Sequence, residues 1–171
     1  QIVNNDTGFN DRLFAMLDKL KGKVVYAHNA LFDVAWLIAT LQSERCGKIP
    51  DVINDIKWRD SMLLFKWLIN GQVAETTHFS MALGSLVEKF LPNHPDTPDF
   101  VEMKKQSFVA GENEEYWLAR GSLDVKMTYE LVKLVSYKVP VSMRQGMITE
   151  FECIVPIANR WITGFRIDQD K

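Results

Sequence analysis

Cysteine is scarce in this chain. Cys46 and Cys153 stand far apart, with no Cys-x-x-Cys pair and no Cys/His cluster. That argues against structural zinc and favours a reducing, intracellular setting. Long apolar runs are also lacking. None approaches the roughly 18 residues that a membrane-crossing helix needs, so no membrane association is expected, and nothing resembles a signal peptide. Neither sign of charge dominates. A net charge of −2 neither demands nor excludes a polyanionic partner, because a near-neutral chain can still present a local basic edge. Repeats and low-complexity segments are absent.

What is present is ordinary for a globular chain: 47% hydrophobic and 25% charged residues over 171 positions, enough for one domain or a domain with a piece of another. The chain starts at Gln1 and stops soon after what reads as a new strand at Phe165 to Asp168. Both ends read as cut, so an internal fragment of a longer protein is expected.

Helices dominate the pattern. Leu13, Phe14, Leu17 and Leu20 recur at helical spacing, with Asn10 or Asp11 as a cap and Gly22 as the end. Val24 to Ala27 reads as a short buried strand. Residues 30 to 41 are apolar almost all round, which predicts a central helix. A loop over 43–57 leads to a strand near 53–58, and Asp60-Ser61 starts a helix that Gly71 ends. Ser80 caps a helix to about Leu91. Three prolines make 92–98 a loop, and a polar stretch continues to Glu115. A short helix then ends at Gly121, and Ser122 starts another to about Tyr137. Met143 to Thr163 reads as one long helix that Pro156 kinks and Gly164 stops. This is an α/β layer pattern with few strands.

Within residues 30–39 the one ionisable side chain is Asp33. A buried carboxylate loses several kcal/mol or more of solvation unless it is neutralised, paired or bound to a metal. Asn29 is placed to cap the helix, leaving Asp33 one turn in, where the helix dipole contributes only about 0.3–1 kcal/mol. Asp33 is then either an edge acid reaching solvent or an Arg, or a ligand. Asp124 has the same character: on a helical wheel it falls in the stripe of Leu123, Met127, Leu131, Leu134 and Val135, opposite Lys126, Glu130 and Lys133. Here too an early-turn acid after a Ser122 cap is the plain alternative. Two helices that each direct a carboxylate coreward suit Mg²⁺ or Mn²⁺ through oxygen ligands, and two-metal phosphodiester chemistry needs several such carboxylates at one point.

Ala27-His28-Asn29-Ala30-Leu31-Phe32-Asp33 resembles the second motif of the four-acid 3′–5′ exonucleases. Arg59 to Leu64 resembles the Asp-Thr-Met helix start that follows it, Phe79 to Leu86 the next helix, and Leu123 to Thr128 the third motif. Ile154 to Asp168 is similar to the segment joining exonuclease and polymerase domains in family A DNA polymerases. The resemblance implies a ribonuclease-H-like exonuclease fold, a mixed sheet flanked by helices with its leading strands missing here. Residues 1–142 would be the exonuclease domain, and 143–171 a linker helix and the start of the polymerase domain. It further implies two Mg²⁺ (or Mn²⁺) ions, with Asp33 and Asp124 as catalytic metal ligands. The substrate would be the 3′ end of single-stranded or frayed primer-template DNA, in the cytoplasm of a bacterial or phage-infected cell.

The family's first motif, Asp-x-Glu, has no counterpart upstream of Asn29, so the isolated chain is expected to be inactive. The third motif carries Tyr four residues before its Asp, or His five before, where this chain has Arg120 and Ala119. Tyr116, about 12 Å from Asp124 along a continuous helix, serves only if the chain bends at Gly121; Arg120 is the alternative, as a phosphate contact. Asn29, His28 and Phe32 are further nucleic-acid contacts on this reading, with structural or core roles as their alternatives. Asp60 reads as a helix cap, Lys104-Lys105 as a solvated face, His78 and His94 as surface or capping residues, and Trp36, Trp58, Trp67 and Trp117 as core. Two other classes stay open: a degenerate exonuclease-like domain that binds DNA or scaffolds a polymerase, and a ribonuclease D-type RNA exonuclease.

Overall fold

The structure, a computed structural model, describes residues 8–42, 51–69, 80–105 and 114–164. It is α/β, mostly helical, with a two-stranded parallel sheet. The chain divides into two compact units: 1–25 with 29–59 and 148–171, and 26–28 with 60–147.

The first unit begins with α1 (Phe9–Asp18). Its N-cap is Gly8, not Asn10 or Asp11, and the Gly8 carbonyl accepts from Arg12 N–H at 3.1 Å. Gly22 takes φ +71, a conformation that costs a side-chain-bearing residue, and donates to the Asp55 carbonyl at 2.8 Å. That turn sets up strand β1 (Val24–Ala27), whose partner β2 (Lys57–Asp60) opens with Lys57 N–H donating to the Lys23 carbonyl at 2.9 Å. Between the strands run α2 (Ala30–Gln42) and the short α3 (Asp51–Asn54), which packs on α1. The expected loop over 43–57 thus contains a turn of helix; its residues 43–50 lie outside the described ones. Trp58 is core, 6% exposed, with its indole N–H on the Ile53 carbonyl at 3.0 Å.

Helix α2 is not apolar on all sides in its environment. Ala30, Val34, Leu37, Ile38 and Leu41 are buried, while Phe32, Asp33, Trp36 and Ala39 are exposed. The expectation of a central helix, and of Asp33 and Trp36 turned into the core, is corrected. Apolar composition counted the residues but not the one face that a neighbour covers. That neighbour is the helix Ile154–Thr163, the last among the described residues.

In the second unit Asp60, 1% exposed, accepts Met62 N–H at 2.8 Å and caps α4 (Ser61–Ile69), as its sequence position suggested. The expected stop at Gly71 lies outside the described residues. Phe65 of α4 meets Phe90 of α5 (Leu83–Phe90) with ring centroids 4.9 Å apart. Ser80 Oγ accepts Ala82 N–H at 3.2 Å just ahead of α5. The loop expected over 92–98 stands through Asp96; a further helix, α6 (Thr97–Lys104), then takes up its last two residues and the start of the expected polar stretch, of which 106–113 lie outside the described residues. Pro98 sits in its first turn, where no backbone N–H is needed, and Phe100 is fully buried.

The two helices expected around Gly121 are one: α7 (Glu114–Val135) runs 22 residues without a break. Ser122 does not start a helix. Its hydroxyl donates back to the Leu118 carbonyl at 2.9 Å, a bond available inside a helix. Buried Met127, Thr128, Leu131 and Val135 form its inner face, against α4, α5 and α6.

After Pro140 comes α8 (Val141–Glu152), a turn at Cys153, and α9 (Ile154–Thr163). The expected long helix is interrupted at Cys153 alone, which keeps a right-handed helical backbone (φ −78, ψ −11), donates to the Thr149 carbonyl at 3.2 Å and accepts from Ile157 N–H at 3.0 Å; Pro156 offers no N–H to the Glu152 carbonyl. Chain membership passes from the second unit to the first within α8, at Ile148. Helix α9 packs along α2 through buried Ile154 and Ala158, and Gly164 ends it at φ +69. The strand expected at 165–168 lies outside the described residues.

Candidate functional site

The residues singled out by sequence fall into both units. In the first, Asn29 precedes α2 with a left-handed backbone, φ +68, and its carbonyl accepts Phe32 N–H at 2.9 Å. Asparagine tolerates this conformation better than most residues, but it is not the extended backbone of a side-chain N-cap. Phe32, on the first turn, is 61% exposed and is not core. Asp33 follows on the same exposed side, one turn before Trp36. The start of α2 therefore presents an aromatic ring and a carboxylate outward, near the positive end of the helix.

The same unit holds a cleft of about 460 Å³ lined by Lys57, Trp58, Arg59, Phe151, Glu152 and Pro156, among others. The Arg59 guanidinium lies 5.1 Å over the Phe151 ring and donates through Nη1 to the Trp58 carbonyl at 2.9 Å. This cleft carried no weight in the sequence, because its walls come from segments ninety residues apart in the chain.

In the second unit both nitrogens of His28 are engaged. Nε2 donates to the Met81 carbonyl at 2.8 Å, so in the neutral ring Nδ1 accepts from the Ser61 hydroxyl at 2.9 Å. Burial holds this imidazole below its ordinary value of 6.5; the Met81 and Asp60 oxygens pull upward and the Lys104 ammonium pushes down. His28 thus ties the end of β1 to α4 and to the approach of α5, which is a structural use of the ring.

Asp124 lies half-buried on α7, in line with Met127, Thr128 and Leu131. Its Oδ1 is shielded from solvent and has no partner in hydrogen-bond geometry; the cation beside it is Lys104 Nζ, 2.6 Å away. Lys104 is therefore not part of a solvated face. Sequence reasoning missed it because Lys104 closes a helix that the prolines concealed. Lys126, also on α7, pairs with Asp96 just before α6.

Arg120 sits one turn before Asp124, its guanidinium 4.9 Å over the Trp117 ring. Tyr116 lies a further turn back, and its hydroxyl donates to the Met103 carbonyl at 3.0 Å. Since α7 is continuous through Gly121, the bend that would carry Tyr116 to Asp124 is not made, and about 12 Å of helix axis separates them. His94 Nδ1 accepts Asp96 N–H at 3.3 Å, a local capping role; His78 lies outside the described residues.

Among the described residues no three His, Cys, Asp or Glu side chains are grouped as metal ligands. Among them, too, no helix is long and apolar enough to cross a membrane. Compared with known proteins, the chain matches no protein-family model, no curated protein and no solved structure.

Proposed function

We propose that this chain is the 3′–5′ proofreading exonuclease domain of a family A DNA polymerase, with a ribonuclease-H-like fold, acting on single-stranded or frayed DNA 3′ ends. On this reading residues 143–171 lead toward the polymerase domain. The observation that supports it is the order of the motifs along the chain. Asn29, Phe32 and Asp33 stand at the start of α2 after β1, Asp60 caps α4, and Asp124 lies half-buried on α7.

The donor chemistry fits a hard divalent cation. Asp33 is a solvent-facing carboxylate, and Asp124 keeps a shielded oxygen that already faces a positive charge. Asp33 of the first unit and Asp124 of the second are each, on this reading, a carboxylate ligand for Mg²⁺ or Mn²⁺, which when bound would supply activation of water and charge stabilisation at the leaving 3′ oxygen. Phe32, exposed beside Asp33, is the platform on which a terminal base stacks. Arg120, rather than Tyr116, is the phosphate contact on α7.

The test uses the intact parent polymerase. Asp33→Ala and Asp124→Ala should each abolish Mg²⁺-dependent degradation of a single-stranded 3′ end while sparing polymerisation. Unchanged nuclease rates in either variant overturn the assignment. The Lys104–Asp124 contact favours a second reading, a degenerate domain that binds DNA without cutting it. A wild-type parent that binds single strands but lacks metal-dependent hydrolysis would establish that one.

A further inference from the structure

Asp124 is in an unusual position for an acid that has to bind a metal. Its Oδ1 has lost water and has no neutral donor in hydrogen-bond geometry, so only a cation offsets its desolvation. Lys104 supplies that cation at 2.6 Å. The lysine closes α6, and its ammonium also lies 5.3 Å from the centroid of the Phe100 ring. Both partners stay partly exposed, 28% and 35% for their side chains.

An ammonium on a four-carbon stem is a movable charge. A half-exposed pair of this kind is weak enough to exchange, because water compensates each partner when it opens. A divalent cation brings twice the charge and sits closer to the oxygen, at about 2.0–2.1 Å for Mg²⁺. The two cations cannot share Oδ1 at contact distance.

We infer that Lys104 is a built-in competitor for the metal position at Asp124, occupying the carboxylate at low cation concentration and withdrawing when a divalent ion binds. The inference rests on the reading of Asp124 as a metal ligand. It adds a regulatory element: the domain holds its carboxylate neutralised until divalent cation is abundant, and Lys104 sets that threshold.

The experiment is a Mn²⁺ titration of the intact protein, following free Mn²⁺ by electron paramagnetic resonance. Wild type is compared with Lys104→Met, Lys104→Gln and Asp124→Asn. Removing the ammonium should tighten Mn²⁺ binding roughly two- to fivefold, the factor that a half-exposed ion pair represents. The Asp124→Asn change should remove that site in either background. If Mn²⁺ binds in an Asp124-dependent way but both lysine variants bind no tighter than wild type, competition is disproved and the metal reading survives. If neither wild type nor the lysine variants bind Mn²⁺ through Asp124, the metal reading of Asp124 falls, and this inference with it.

Discussion

His28 Nε2 donates to the Met81 carbonyl oxygen at 2.8 Å, across 53 residues of sequence. With Ser61 on the other ring nitrogen, this one side chain joins three segments of the second unit. The ring is held neutral by burial, which gives stability a pH dependence of defined sign. A histidine whose folded value is depressed binds fewer protons folded than unfolded, so stability rises with pH. The contribution is complete above about 6.5, the unfolded value, and is lost as pH falls through the folded one. Urea midpoints measured between pH 8 and 5 should therefore decline below about pH 6.5, and His28→Leu should flatten that decline. A midpoint that climbs on acidification, or a slope that His28→Leu leaves intact, would show the ring is not the cause.

Asp60 is buried and closes the first turn of α4. Asp60→Ala should lower unfolding free energy by about 0.5–2 kcal/mol through loss of the cap. Asp60→Asn keeps an oxygen acceptor for Met62 N–H and should lose less. Chemical denaturation of the pair gives the comparison, and equal losses would assign Asp60 a role other than capping.

Two helical glycines should respond oppositely to the same change. A Cβ on Gly146 would stand 2.7 Å from the Trp67 ring, whereas one on Gly121 meets nothing within 4 Å. Gly146→Ala should destabilise by about 1–3 kcal/mol through overpacking. Gly121→Ala, in the middle of α7, should stabilise by roughly 0.5–1 kcal/mol. Thermal melts of both variants decide it. A destabilised Gly121→Ala would mean that α7 is interrupted there after all.

Phe32 separates binding from folding. Being mostly exposed, it can be truncated to Ala with a stability change within about 0.5 kcal/mol, while Phe65→Ala in the core should cost about 3–5 kcal/mol. If Phe32 stacks a terminal base, Phe32→Ala should weaken binding of a single-stranded oligonucleotide by about 1–3 kcal/mol. Fluorescence anisotropy measures this directly, and unchanged affinity would remove Phe32 from the proposed interface.

Much of the local structure was legible in the chain. The strand at Val24, the Asp60 cap, the Gly164 stop and the inner stripe of α7 follow from period, capping chemistry and backbone freedom, but the strand is not buried as expected: Val24 and Tyr26 are exposed. Two of the misjudged places share a cause: a residue with two uses has its less common one here. Pro98 breaks a helix interior but suits a first turn, and Ser122 caps a helix but also bonds backward within one.

What the sequence determined alone is therefore the menu of elements and the positions of the two notable carboxylates, because these depend on neighbours within a few residues. Only the tertiary structure decided what surrounds those carboxylates. Asp33 faces outward because α9, more than a hundred residues later, covers the opposite side of α2. Asp124 faces Lys104 because α6 packs on α7. Which face is covered, and which charge lies nearest, are consequences of contacts distant in sequence, and periodicity carries no record of them.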